Sequence, residues 1–151
     1  MRVYTVTQPN VAVSGAQDMV EITAGSTTGV LILSAFIGQV GTADAGDANA
    51  EHLRILIRRY ATSGSNGSSQ TPAKHNSNDP ASSATAEVSN TTAGGTVTEV
   101  IEESFPVANG WFYQPIPEER IYVPPGGIIA FRIPSVADGI TLTARVTFAE
   151  V

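Results

Sequence analysis

Between Ile140 and Phe148 every second residue is apolar: Ile140, Leu142, Ala144, Val146 and Phe148 alternate with Thr141, Thr143, Arg145 and Thr147. Successive side chains of a strand point to opposite faces, so this stretch reads as a strand with one face buried and one exposed. The same period recurs along the chain. Arg2, Tyr4 and Val6 alternate with Val3, Thr5 and Thr7 until Pro9-Asn10 ends the strand, and Val11 to Val13 makes a second extended piece. Met19 to Ala24 resumes the pattern. Val30 to Val40 is a long apolar run, rich enough in β-branched and aromatic residues for a central strand.

Leu53 to Tyr60 places Leu53, Ile55 and Ile57 on one side and Arg54, Leu56, Arg58 and Tyr60 on the other. That second face is mixed. Either its arginine stems cover neighbouring apolar atoms while their heads stay in water, or it lies at a subunit contact. Thr96 to Phe105 is another strand by alternation. Asn109-Gly110 is the strongest turn signal in the chain, joining that strand to Trp111.

Trp111 to Ile133 is dense in aromatics and prolines and is expected to centre a core or an interface. Pro124-Pro125-Gly126-Gly127 reads as a tight reversal inside a hairpin-like unit. Residues 62–95 differ in kind. They are rich in Ser, Thr, Asn and Gly and read as one long exposed polar loop with room for a short strand at Ala84 to Val88.

About eight strands separated by turns, with no long helical pattern, predict an all-β fold, a jelly-roll-like β-sandwich. Residues 1–15 are expected to form an N-terminal arm or edge strand and residues 16–151 the sandwich domain. Only 15% of the 151 residues are charged, which excludes a long charged helix or coiled coil. The net charge of −6 is a poor match for nucleic-acid backbones or anionic membranes, so neither is expected as a partner. The chain has no Cys, which excludes disulfides and thiolate metal sites. No signal peptide pattern opens it, and a soluble protein made in the cytoplasm is expected.

Residues that carry chemistry do not combine into a reaction. His52 and His75 lack partners at metal-ligand spacing and read as surface or turn residues. Asp44, Asp47, Asn49 and Glu51 are oxygen-rich but do not follow the EF-hand spacing; Asp47 reads as a helix cap. Glu102 and Glu103 are adjacent on a strand and cannot share one cleft, which weakens a paired-carboxylate hydrolase reading. Glu118-Glu119-Arg120 reads as a charged turn, solvated or at an interface. The chain has no nucleophile elbow, P-loop or dinucleotide fingerprint. It is therefore not expected to be an enzyme, nor to hold a metal or cofactor. On a strand Trp111 and Tyr113 share one face and Phe112 takes the other, so at least one side of this run belongs to the core.

Several segments resemble a family of small virion proteins of tailed bacteriophages. The segments are Ala108-Asn109-Gly110-Trp111, then Pro117 to Val123, then Ile129 to Arg132. Gly46-Asp47-Ala48 with Ala50-Glu51 and Leu53-Arg54-Ile55 adds to them, as do Asn78-Asp79-Pro80, Asn90-Thr91-Thr92 and Phe148-Ala149-Glu150. The resemblance runs from about Ala16 onward. It implies a head decoration, or cement, protein: a homotrimeric β-sandwich that binds the major capsid protein on the capsid surface and stabilises contacts between capsid subunits. On that reading Arg54, Arg58, Trp111, Tyr113, Glu118, Glu119 and Arg120 are expected at subunit contacts, and Arg2, Tyr4 and Gln8 at the capsid. The alternative is a carbohydrate-binding or host-adhesion module of a phage tail or head fibre, with Trp111, Tyr113 and Tyr122 meeting the sugar. Arg120→Ala is expected to weaken oligomerisation more than folding, which light scattering read beside a thermal melt would check.

Overall fold

The computed structural model describes residues 1–40 and 51–151. Asp44, Asp47 and Asn49, and the helix cap expected at Asp47, lie outside the described residues. The alternating stretch at the C-terminal end is strand β12 (Ile140–Glu150). It lies at the centre of sheet one, between β1 (Arg2–Val13) and β3 (Val30–Gln39), antiparallel to both. On the far side of β3 pair two short strands, β9 (Trp111–Tyr113) and β10 (Tyr122–Val123).

Sheet two contains β2 (Gln17–Thr23), β11 (Ile128–Ile133), β4 (His52–Tyr60) and β8 (Val97–Pro106), neighbours in that order. The chain thus passes from one sheet to the other at almost every connection, which is the winding of a jelly roll. The apolar faces meet between the sheets. Tyr4, Val6, Ile32, Val146 and Phe148 come from sheet one and Val20, Ile22, Ile55, Ile129 and Phe131 from sheet two, all fully or almost fully buried. Tyr4 and Phe148, opposite each other on β1 and β12, stack at 5.7 Å.

Three sequence expectations change. Pro9-Asn10 does not end the first strand: β1 continues through a bulge between Gln8 and Val11, where Asn10 takes a positive φ of 51°. Residues 2–13 therefore belong to the sandwich along their length rather than forming a free arm. Second, neither expected hairpin forms. Asn109-Gly110 carries the chain from β8 in sheet two to β9 in sheet one, and the Pro124–Gly127 turn carries it back from β10 to β11. Both turns form locally, with Gly110 and Gly126 at φ 71° and 72°, but burial of Trp111 and Phe131 decides which sheet each strand joins.

Third, residues 62–95 are not simply an exposed loop. They contain β5 (Ser68–Gln70), β6 (Ala73–Lys74) and β7 (Thr85–Val88). β7 and β5 extend sheet two beyond β2, and β6 extends sheet one beyond β1. The flanking segments fold over the outer face of sheet two, where Ala93 and Val97 pack on Tyr60, Ile128 and Ala130.

Buried carboxylates fasten this insertion. Asp18 accepts from the Tyr60 hydroxyl at 2.8 Å and from Arg132 at 2.7 Å, and Arg132 also donates to the Thr91 carbonyl. Burial pushes the Asp18 carboxyl above its ordinary pKa, against the opposing pull of its bonds to Arg132 and Tyr60. Glu21 accepts from Ser63 Oγ, the Gly64 backbone N–H and Asn90 Nδ2. Glu150, at the end of β12, accepts from the hydroxyls of Ser82 and Ser83 and the backbone N–H groups of Ser83 and Ala84, and pairs with Arg2 at 3.2 Å.

Burial alone would raise the pKa of Glu150, but these donors outweigh it and hold the carboxyl below its ordinary value. A depressed folded-state pKa means the stabilisation is present above about pH 4.3, the free carboxyl's value, and is lost as pH falls through the folded value. Glu150→Gln is therefore expected to flatten the acid limb of a stability-versus-pH curve. Denaturant unfolding of both proteins between about pH 3 and 7 checks the slope.

Candidate interaction surface

β8 is the open edge of sheet two, and β9 and β10 form the corresponding edge of sheet one. Between them the two sheets leave a rim. Trp111 points inward and is 5% exposed, while Phe112 points outward and is 53% exposed, the alternation a strand demands. The indole N–H of Trp111 donates to Glu103 Oε2 on β8 at 2.6 Å, which closes the rim with a charge-assisted hydrogen bond. Tyr113 stacks on Trp111 at 6.1 Å and donates its hydroxyl to the Glu119 carbonyl at 3.1 Å. That bond fixes the 3-10 turn Pro117–Glu119, the one helical turn among the described residues. Burial pushes the Tyr113 hydroxyl above its ordinary pKa. A cleft of about 410 Å³ opens between β8, β9 and this turn.

The cleft adjoins the outer face of sheet one. Register places Thr7, Arg145, Phe36 and Phe112 in one row across four strands, and Val3, Ala149, Leu31 and Tyr122 in another. Of these side chains only Arg145 is charged. The Phe36 ring lies against Gly38 and the Tyr122 ring against Gly29, where a Cβ would meet the ring at 2.5 and 2.6 Å. Glycine at these positions lets the aromatic ring lie down on the sheet. Phe36 and Phe112 pack edge to face at 6.5 Å. Tyr122 on β10 is 46% exposed, and Ile116, which precedes the Pro117–Glu119 turn, is 58% exposed.

The residues expected from sequence divide sharply. Trp111, Tyr113 and Glu119 meet at the rim, and Glu118 is exposed on the same turn. Arg54 and Arg58 lie on the outer face of sheet two and pair within the chain, Arg54 with Glu102 and Arg58 with Glu99 at 2.8 Å. These cross-strand pairs are exposed and contribute little stability, about 0–1 kcal/mol each. Arg120 is half-buried, and its Nε is shielded from solvent without a hydrogen-bond partner. Tyr4 and Gln8 are interior: Tyr4 donates its hydroxyl to the Pro80 carbonyl at 3.1 Å, and Gln8 bonds Ser89. Of the three expected capsid contacts only Arg2 reaches the surface, beside Glu150. His52 is exposed, and His75 is exposed with a 2.6 Å contact to Thr5 Oγ1.

Sequence reasoning passed over Phe36 and Ile116, and weighed Glu103 only as half of a carboxylate pair. Phe36 sits in a run apolar on both faces, so alternation gave no sign of which face it takes. Glu103 was separable from Glu102 by strand parity, but its bond to Trp111 depends on the two sheets meeting. Among the described residues no cluster of three or more His, Cys, Asp or Glu could hold a metal ion. Comparison with protein-family models, with curated proteins and with solved structures found no match to this chain.

Trp111→Phe keeps most of the buried area and removes the donor to Glu103. The expected loss is about 1.5–3 kcal/mol, the size of one hydrogen bond to a charged group, rising to roughly 3–5 kcal/mol for Trp111→Ala. Urea unfolding of the two variants would separate the contributions of bond and packing.

Proposed function

We propose that the chain is a structural virion protein, a decoration or cement subunit that self-associates and binds the major capsid protein at the capsid surface, with no catalytic activity. The observation that carries this reading is the outer face of sheet one, nearly uncharged, with Phe112 and Tyr122 exposed on the short strands at its edge. Contiguous exposed apolar surface on a soluble domain marks a protein contact. A jelly roll with this face suits a subunit in a closed ring, where one patch meets its neighbour by rotation. The segment resemblance to phage decoration proteins points the same way and supplies the trimer and the capsid as partners. A cement role needs binding alone: each subunit that bridges capsid proteins raises the free energy needed to separate them.

A second reading, glycan adhesion, draws on the rings of Phe36 and Tyr122 lying against the sheet. Its aromatic set differs from the sequence expectation, because Trp111 is buried and unavailable to stack on a sugar.

Phe112→Ser tests the main reading, since Phe112 is 53% exposed and its loss leaves the inter-sheet core intact. The variant is expected to shift light-scattering mass from trimer toward monomer and to bind expanded capsids more weakly, with the fold retained by circular dichroism. A wild-type monomer that leaves capsids bare while binding immobilised glycans would overturn it.

A further inference from the structure

The cleft at the rim has a definite chemistry. Ile101, Phe112, Tyr113 and Pro115 form apolar walls, and Glu103 and Glu119 place carboxylates at its edges. The other two β8 carboxylates are matched within the chain, Glu99 by Arg58 and Glu102 by Arg54. Among the described residues Glu103 and Glu119 form no ion pair, and Glu103 is held in place by the indole of Trp111. The turn carrying Glu119 is held by the Tyr113 hydroxyl. Two carboxylates, that of Glu103 held by the Trp111 indole, beside two aromatic rings complement a long basic side chain. Its alkyl stem would lie on the apolar walls, and its charged head would meet the carboxylates and the ring faces.

We propose that this cleft receives a lysine or arginine side chain from an extended basic segment of a partner protein. The proposal rests on the assembly reading above and specifies the chemistry of the partner. Two like rims brought together would set carboxylate against carboxylate, so the complement is a basic surface.

The only tryptophan bonds Glu103 and stacks on Tyr113, both of which line the cleft, so its indole N–H resonance is a single local reporter. The probe is the capped pentapeptide Gly-Ser-Arg-Ser-Gly, with a Gln-for-Arg version as control, titrated into the full chain. The Arg peptide is expected to shift the Trp111 indole signal saturably. The shift should fade as salt rises from roughly 0.01 to 1 M, over which the Debye length falls from about 30 to 3 Å. Glu119→Gln, which leaves the Tyr113 bond to the backbone intact, is expected to weaken binding about three- to fivefold, the effect of losing one exposed ion pair. Asp79→Asn makes the same charge change in the insertion, past the β6 edge opposite the rim, and should leave affinity unchanged.

Equal binding of the Gln peptide, or equal weakening by Asp79→Asn and Glu119→Gln, would overturn the proposal. So would the absence of any indole shift. If capsids still bind the wild-type chain in that case, the cleft proposal fails and the assembly reading stands. If instead the chain binds the Arg peptide and ignores capsids, the cleft proposal stands and the assembly reading fails.

Discussion

The apolar layer between the two sheets sets everything else in place. Tyr4 and Phe148 stack side by side on β1 and β12, and Val20, Ile22, Ile129 and Phe131 of sheet two fill the same layer. Fully burying a side chain of this size contributes roughly 1.5–3 kcal/mol, far more than any exposed ion pair on the surface. Strand parity then has no freedom: once one face of β12 is buried, Thr143, Arg145 and Thr147 must face outward. The weakly charged face of sheet one follows from that constraint.

The insertion between β4 and β8 solves a different problem. A polar segment folded over a sheet brings backbone and side-chain polar groups out of water, and these are costly if left unpaired. Here Glu21 and Glu150 take the donors that the segment offers, among them the backbone N–H groups of Gly64, Ser83 and Ala84, while Asp18 holds Arg132, which donates to the Thr91 carbonyl of the segment. The carboxylates are buried because the insertion covers them, and the insertion is ordered because they bind it. Removing either side leaves the other unsatisfied. At the opposite rim no strand among the described residues pairs with β8 beyond β4. Glu99, Glu102 and Glu103 stand along β8, and charged residues on an edge strand oppose indiscriminate strand pairing. The rim therefore favours contact through side chains rather than through added strands, consistent with a cleft suited to one basic side chain.

What could be read from the chain itself was periodic and local. The alternation of Ile140 to Phe148 dictates a strand with one buried face, and the parity of Trp111, Phe112 and Tyr113 separates an inward pair from an outward ring. Both are set by backbone geometry over a few residues. The tertiary structure decided what depends on distant partners. It placed β9 in sheet one rather than back against β8, buried Tyr4 and Gln8, and added β5, β6 and a cover to a polar stretch where only the short strand at Ala84 to Val88 was legible. Serine, threonine and asparagine in that stretch look like loop residues because alone they cannot form a core. They become structural where Glu21 and Glu150, tens of residues away in sequence, supply acceptors, and no local pattern encodes that meeting.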